Sequence, residues 1–210
     1  MKQKKLFLFD FDGTLTNCDM LDEVLTIVDK KQQSIELNKL VTSGQVVGSL
    51  KPLCTRINFL QGVSLDTINE FLQQNDFLRP GVRELFDYLN KNDFITVIIS
   101  GNITPTLSYY QKLLNVTHIV GTQVPIENGV LQPVDHTTLD PDFKNTCSKQ
   151  LIEKLQVPFE NTYAIGDSIV DREMLQYAKH TFTINPKGGI ENYANVVLDN
   201  DLSEIINYIK

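Results

Sequence analysis

Three short apolar runs, at positions 6–9, 94–99 and 162–165, each give way at once to a polar cluster. The clusters are Asp10-Phe11-Asp12-Gly13-Thr14, Ser100-Gly101-Asn102 and Gly166-Asp167-Ser168. Unbroken apolar runs of this length read as strands buried on both faces, as in a parallel sheet. Helical spacings lie between them. Residues 82–89 carry Val82, Leu85, Phe86 and Leu89 after Pro80-Gly81, and residues 147–155 repeat the pattern with Leu151, Ile152 and Leu155. Further strands are predicted at 118–120, 181–184 and 196–198, with a terminal helix inside 202–209. Glu127-Asn128-Gly129, between 122–126 and 130–134, predicts a hairpin, because Asn-Gly readily takes positive φ. Strands alternating with helices predict an α/β fold built on a doubly wound parallel sheet.

Residues 16–78 lack this rhythm. They read as several amphipathic helices with breaks near Ser43-Gly44 and Gly62. Their place directly after the first polar cluster predicts an inserted helical cap over the carboxyl end of the first strand, where ligands of open α/β sheets bind. The expected organisation is a core of residues 1–15 and 79–210 with a cap of residues 16–78.

Composition narrows the class rather than the chemistry. At 210 residues, 41% hydrophobic and 21% charged, the chain suits one soluble globular core plus a small insertion. A net charge of -7 offers no basic field to a nucleic-acid backbone or an anionic membrane, so neither partner is expected. Cys18, Cys54 and Cys147 are odd in number and show no CxxC spacing, which predicts reduced thiols in a cytoplasmic protein. The basic start before residues 6–9 is not expected to act as a secretion signal, since Asp10 and Asp12 end the apolar run after four residues.

Asp10 and Asp12, two apart at a strand end, can both face one crevice. An isolated DxDG also serves as a turn or helix cap, so this pair alone decides nothing. Ser100-Gly101-Asn102 is expected to open a helix with a hydroxyl and free backbone amides, an anion site if it is more than a cap. Asp167 and Asp171 lie four apart, on one side of a helix predicted to begin near Ser168. Capping explains one of these acids, but not three strand ends that deliver acids or hydroxyls to the same edge. Gathering Asp10, Asp12 and Asp167 needs compensating charge. Oxygen ligands without His or Cys favour Mg²⁺, and Lys144 is the candidate accompanying cation, though surface exposure is the commoner fate of a lysine.

The ordered set of Asp10-Phe11-Asp12-Gly13-Thr14, Ser100, Lys144 and Gly166-Asp167 through Asp171 resembles the four motifs of the haloacid dehalogenase superfamily. Arg79-Pro80-Gly81, the hairpin at Asn128-Gly129 and the predicted cap make the chain similar to its phosphoserine phosphatase branch along nearly the whole length. The resemblance implies a Rossmann-like core and phosphatase activity through an aspartyl-phosphate. It implies Asp10 as nucleophile and Asp12 as acid, then base. Ser100, Gly101 and Lys144 would hold the phosphoryl group. Mg²⁺ would rest on Asp10, the Asp12 carbonyl and Asp167, with Asp171 orienting its waters. Asp19 and Arg56 match the positions that hold the substrate's ammonium and carboxylate, although the branch usually has Glu at the position of Asp19. The branch also shows SGG and GDGAND where this chain has Ser100-Gly101-Asn102 and Gly166-Asp167-Ser168-Ile169-Val170-Asp171.

The implied partner is a small phosphorylated metabolite, O-phosphoserine first, taken by a monomer or homodimer. Three rivals stand beside it. One is a phosphatase for another small ester, such as the enol phosphate of methionine salvage, whose enzymes share the GDSxxD ending. Another is phosphotransfer to an alcohol, and the third is a non-catalytic phosphate binder.

Overall fold

The structure is a computed structural model that describes residues 4–43, 45, 49–140 and 142–209. Six parallel strands form the main sheet: β1 (Lys5–Phe9), β2 (Phe94–Ile103), β3 (His118–Thr122), β6 (Thr162–Ser168), β7 (His180–Lys187) and β8 (Val196–Leu198). A separate hairpin pairs β4 (Ile126–Glu127) with β5 (Val130–Leu131) around Asn128 and Gly129, both at positive φ. Pro125 and Pro133 bracket it, and their missing amides explain strands shorter than the sequence pattern suggests.

The sheet order is β3-β2-β1-β6-β7-β8. The chain leaves β1 toward β2 and β3, then returns to the other side of β1 to lay down β6. That reversal opens a crevice at the carboxyl ends of β1 and its neighbours. Phe7 and Phe9 pack on one face of the sheet with Val82, Leu85, Phe86 and Leu89 of α5 (Val82–Lys91). Leu6 and Leu8 pack on the other with Met174 and Leu175 of α8 (Arg172–Gln176), beside α7 (Phe143–Leu155). Alternation along one strand thus fills two cores, and each is roofed by helices.

Between β1 and α5 run α1 (Met20–Val24), α2 (Lys31–Thr42), α3 (Lys51–Asn58) and α4 (Leu65–Gln74). Ser43 caps α2, and Gly62 at φ 87° separates α3 from α4. Gly44 of the expected first break lies outside the described residues, as do residues 1–3 of the basic start.

Two expectations need correction. β2 continues to Ile103, with its register shifting between Ile99 and Ile103, so Ser100-Gly101-Asn102 lies in an irregular strand extension. The following helix α6 (Thr104–Leu114) starts with Pro105 in its first turn, and the ring's fixed φ suits that later start. The terminal helix is a 3₁₀ segment, Leu202–Tyr208, opened by Asp201 accepting from the Ser203 amide. Among the described residues no helix is long and apolar enough to cross a membrane, and the three cysteines are unpaired.

Candidate active site

Asp10 follows β1 directly, and its amide donates to Ile165 of β6 at 3.0 Å, so the sheet ladder fixes its backbone. The residue as a whole is 4% exposed. Thr14 Oγ1 donates to Asp10 Oδ2 at 2.7 Å, and Lys144 Nζ donates to Oδ1 at 2.6 Å. Lys144, in the first turn of α7, also reaches Asp171 Oδ1 at 2.5 Å. One ammonium therefore bridges two carboxylates delivered by different strand ends.

Asp171 is fully buried and uses its second oxygen to organise the loop after β6. Asp171 Oδ2 accepts from the amides of Asp167 and Ser168 at 3.1 Å each and from Ser168 Oγ at 3.3 Å. Ser168 and Asp171 form a capping box on a 3₁₀ turn, so capping and charge placement coincide here. The close approach needs glycine: a Cβ on Gly166 would lie 2.4 Å from Asp171 Cβ. Gly13, at φ 81°, is equally constrained, since its Cβ would stand 2.2 Å from Asp167 Oδ2.

Carboxylate oxygens of Asp10, Asp167 and Asp171 lie within 4.8 Å of one another, a set that can hold a metal ion. Lys187, at the end of β7, donates to Asp167 Oδ2 at 2.6 Å. Burial, the negative charge of Asp171 and that of Asp167 push Asp10 up to about 8, against the pull of Lys144. Burial also raises Asp167, with Lys187 opposing. Burial would lower Lys144, but Asp10 and Asp171 outweigh it and hold the ammonium protonated. Two ammoniums thus leave three acids under-compensated. An all-oxygen donor set in that condition suits a hard divalent cation.

The carboxylate of Asp12 stands apart from this cluster. Met20 N donates to Oδ1 at 2.8 Å, Ser100 Oγ to Oδ2 at 3.0 Å, and Asn102 Nδ2 to both oxygens at 3.0 and 3.3 Å. Burial and the charge of Asp19 push Asp12 up to about 7, and these hydrogen bonds hold it from rising further. Such a group can give or take a proton near neutrality. The Ser100 hydroxyl, predicted to hold phosphoryl oxygens, here spends its proton on Asp12.

A cavity of about 650 Å³ is walled by Asp10, Asp12, Ser100, Gly101, Lys144 and Asp167 from the sheet side and by Arg56 and Asn38 from the helices. Arg56 is buried, donating through Nε to Ser34 Oγ at 2.7 Å and through Nη2 to Asp19 at 2.7 Å and Asp22 at 2.9 Å. Ser34 Oγ makes a short bond to Asp22. Asp19 caps α1, accepting from the Asp22 amide, and its other oxygen also takes Asn38 Nδ2 at 3.2 Å. Asp19 does not itself line the cavity; it steadies Arg56 and Asn38, which do.

Residues 7–176 match the sequence profile of the haloacid dehalogenase-like hydrolases. The chain belongs to this hydrolase family. Among curated relatives, the phosphoserine phosphatase of Idiomarina loihiensis is 26% identical over 207 residues, covering 98% of this chain and 93% of that protein. The phosphoserine phosphatase of Albidiferax ferrireducens is 25% identical over 203 residues, covering 93% and 84%. The fold matches a phosphoserine phosphatase solved as a phospho-aspartyl intermediate analogue, with a TM-score of 0.84, 22% identity and full coverage of both chains.

Within this haloacid dehalogenase-like site, Lys187, Asn38, Ser34, Asp22 and Asn102 were not singled out as site residues by motif reading. Lys187 had a usable signal: Asn185-Pro186-Lys187-Gly188-Gly189 is a fourth polar cluster after a predicted strand. Asp22, Ser34 and Asn38 carry no such signal, because only the packing of α1, α2 and α3 brings them to Arg56.

Proposed function

We propose that the chain is a Mg²⁺-dependent phosphomonoester hydrolase working through a phosphorylated Asp10, with O-phosphoserine as its first candidate substrate. The juxtaposition of Asp10, bridged by Lys144, with a separately held Asp12 in one cavity carries this reading. The names of the relatives supply the substrate.

In the first step an Asp10 carboxylate oxygen bonds to phosphorus in line with the ester oxygen, which leaves with a proton from Asp12. In the second a water oxygen attacks phosphorus, its proton passes to Asp12, and the bond to Asp10 breaks. Lys144 offsets the repulsion between Asp10 and the phosphoryl oxygens, and Gly101 presents backbone beside them. Asp10, the Asp12 carbonyl and Asp167 would hold Mg²⁺, with Asp171 orienting its waters, and the ion would supply charge neutralisation. The helices α1 to α4 act as a cap that limits water access, and Arg56 takes the substrate carboxylate.

Phosphate release from O-phosphoserine, an aryl phosphate and an enol phosphate, with Mg²⁺ and with chelator, tests the proposal. Turnover of all three failing in Mg²⁺ would end it. Adding an alcohol and analysing products separates hydrolysis from phosphotransfer. Arg56→Ala is expected to raise KM about tenfold or more for O-phosphoserine with little change for a neutral aryl phosphate, reflecting one lost charge-assisted pair of about 1.5–3 kcal/mol. Equal effects on both esters remove Arg56 from carboxylate recognition.

The raised acids also predict how metal-free protein responds to pH. Asp10 and Asp12, moved from 3.8 to about 8 and about 7, keep protons in the folded state that the unfolded chain has released. Their stabilising contribution is complete below pH 3.8 and is lost as pH rises through 7 and 8. Metal-free Tm should therefore fall from pH 5 to 8.5. Mg²⁺, which binds the ionised acids, should restore it most at the upper end. At a hundred times its Kd the ion adds about 2.7 kcal/mol, or roughly 5–11 °C for a chain of this size. No Mg²⁺-dependent shift at pH 8 would remove the metal from the proposal.

A further inference from the structure

Asn102 is 3% exposed and does not line the cavity, whereas its neighbours Ser100 and Gly101 do. Its extra side chain, where the resembled branch carries glycine, therefore leaves the substrate's space alone and turns to Asp12. Asn102 Oδ1 accepts from the Ile103 amide at 2.8 Å, which settles the orientation of the side-chain amide. Nδ2 must then face Asp12, and it spans both carboxylate oxygens at 3.0 and 3.3 Å.

The same residue acts a second time through its backbone. Asn102 N donates to Ser100 Oγ at 3.0 Å. A hydroxyl that accepts there has its single proton free to point elsewhere, and it points to Asp12 Oδ2 at 3.0 Å. Met20 N completes the set on Oδ1 at 2.8 Å. Asp12 is thus surrounded by donors that fix the plane of its carboxylate, and two of those contacts depend on Asn102.

Resting on the hydrolase reading above, we propose that Asn102 is a positioning residue that orients Asp12 for the second half-reaction. There the water oxygen bonds to phosphorus, the water proton moves to Asp12, and the electrons of the breaking P–O bond return to Asp10. Without the Asn102 amide the Asp12 carboxylate can turn about its side-chain bonds and lose alignment with the water. Attack on an aryl phosphate, whose leaving group departs without a proton, is less sensitive. The loss should therefore fall on the step that clears the phosphorylated enzyme.

Stopped-flow release of the phenol from an aryl phosphate in Mg²⁺ tests this with Asn102→Ala and Asn102→Asp. Asn102→Ala should show a burst approaching one phenol per enzyme, then a steady rate about tenfold below wild type, with KM unchanged or lower. Asn102→Asp keeps the acceptor for the Ile103 amide but loses the donor to Asp12. A residue that merely held the turn would tolerate that exchange, whereas a positioning role predicts at least as large a loss. Asn102→Gly, the residue of the resembled branch, replaces the alanine variant if thermal melts show that one unfolded. A kcat within twofold of wild type in the folded variants overturns the inference, as does a slowed rate without a burst. Absence of any wild-type phosphatase turnover would instead overturn the underlying hydrolase reading, so the two failures are distinguishable.

Discussion

Asp10→Asn is expected to cut phosphate release by at least roughly a thousandfold while leaving the circular dichroism spectrum unchanged, as loss of an attacking side chain does. The exchange is nearly isosteric. Its amide oxygen can still accept from Lys144 Nζ, now at 2.6 Å, and the Thr14 hydroxyl at 2.7 Å can rotate to accept from the new amide nitrogen. What disappears is the anionic oxygen able to bond to phosphorus. The exchange also removes one of three crowded acids, so metal-free Asp10→Asn should melt no lower than wild type at pH 8. Full turnover by a sequence-verified Asp10→Asn variant would show that another group attacks.

Lys144→Met is expected to damage both stability and rate. The side chain of Lys144 is 12% exposed, and its ammonium holds Asp10 and Asp171, whose side chains are 6% and 0% exposed. Removing one partner of a buried ion pair typically costs 3–5 kcal/mol. The remaining exposure favours the lower end, about 3 kcal/mol, or roughly 6–12 °C in Tm. Methionine matches the aliphatic stem, so lost charge rather than lost packing is measured. In turnover the missing cation should cost roughly a hundred- to a thousandfold. A melt within 2 °C of wild type, read as less than about 1 kcal/mol, would show that Lys144 does not bind the acid cluster together.

The parallel core was legible because its strands are buried on both faces. Residues 6–9, 94–99 and 162–165 stand out as unbroken apolar runs, and all three pair as neighbours in the sheet. The strand extension through Ser100-Gly101-Asn102 was not legible. A polar cluster after an apolar run looks like a strand end, and only the register shift and the bonds to Asp12 reveal continued extended chain. Asp167 and Asp171 were readable as a pair but not in their arrangement, because four-residue spacing suggests a helix face. Here Asp171 folds back onto the Asp167 amide instead. Motif spacing also could not show that the Asp12 carboxylate faces Asn102 while the other three acids share Lys144 and Lys187.

The Lys187 side chain is 65% exposed even as its ammonium rests on Asp167. It can swing into solvent without disturbing any packed element, so the acid cluster carries a tethered, removable counter-ion. A divalent cation taking its place at Asp167 would exchange a single positive charge for a double one, and until then the ammonium keeps that carboxylate from standing bare.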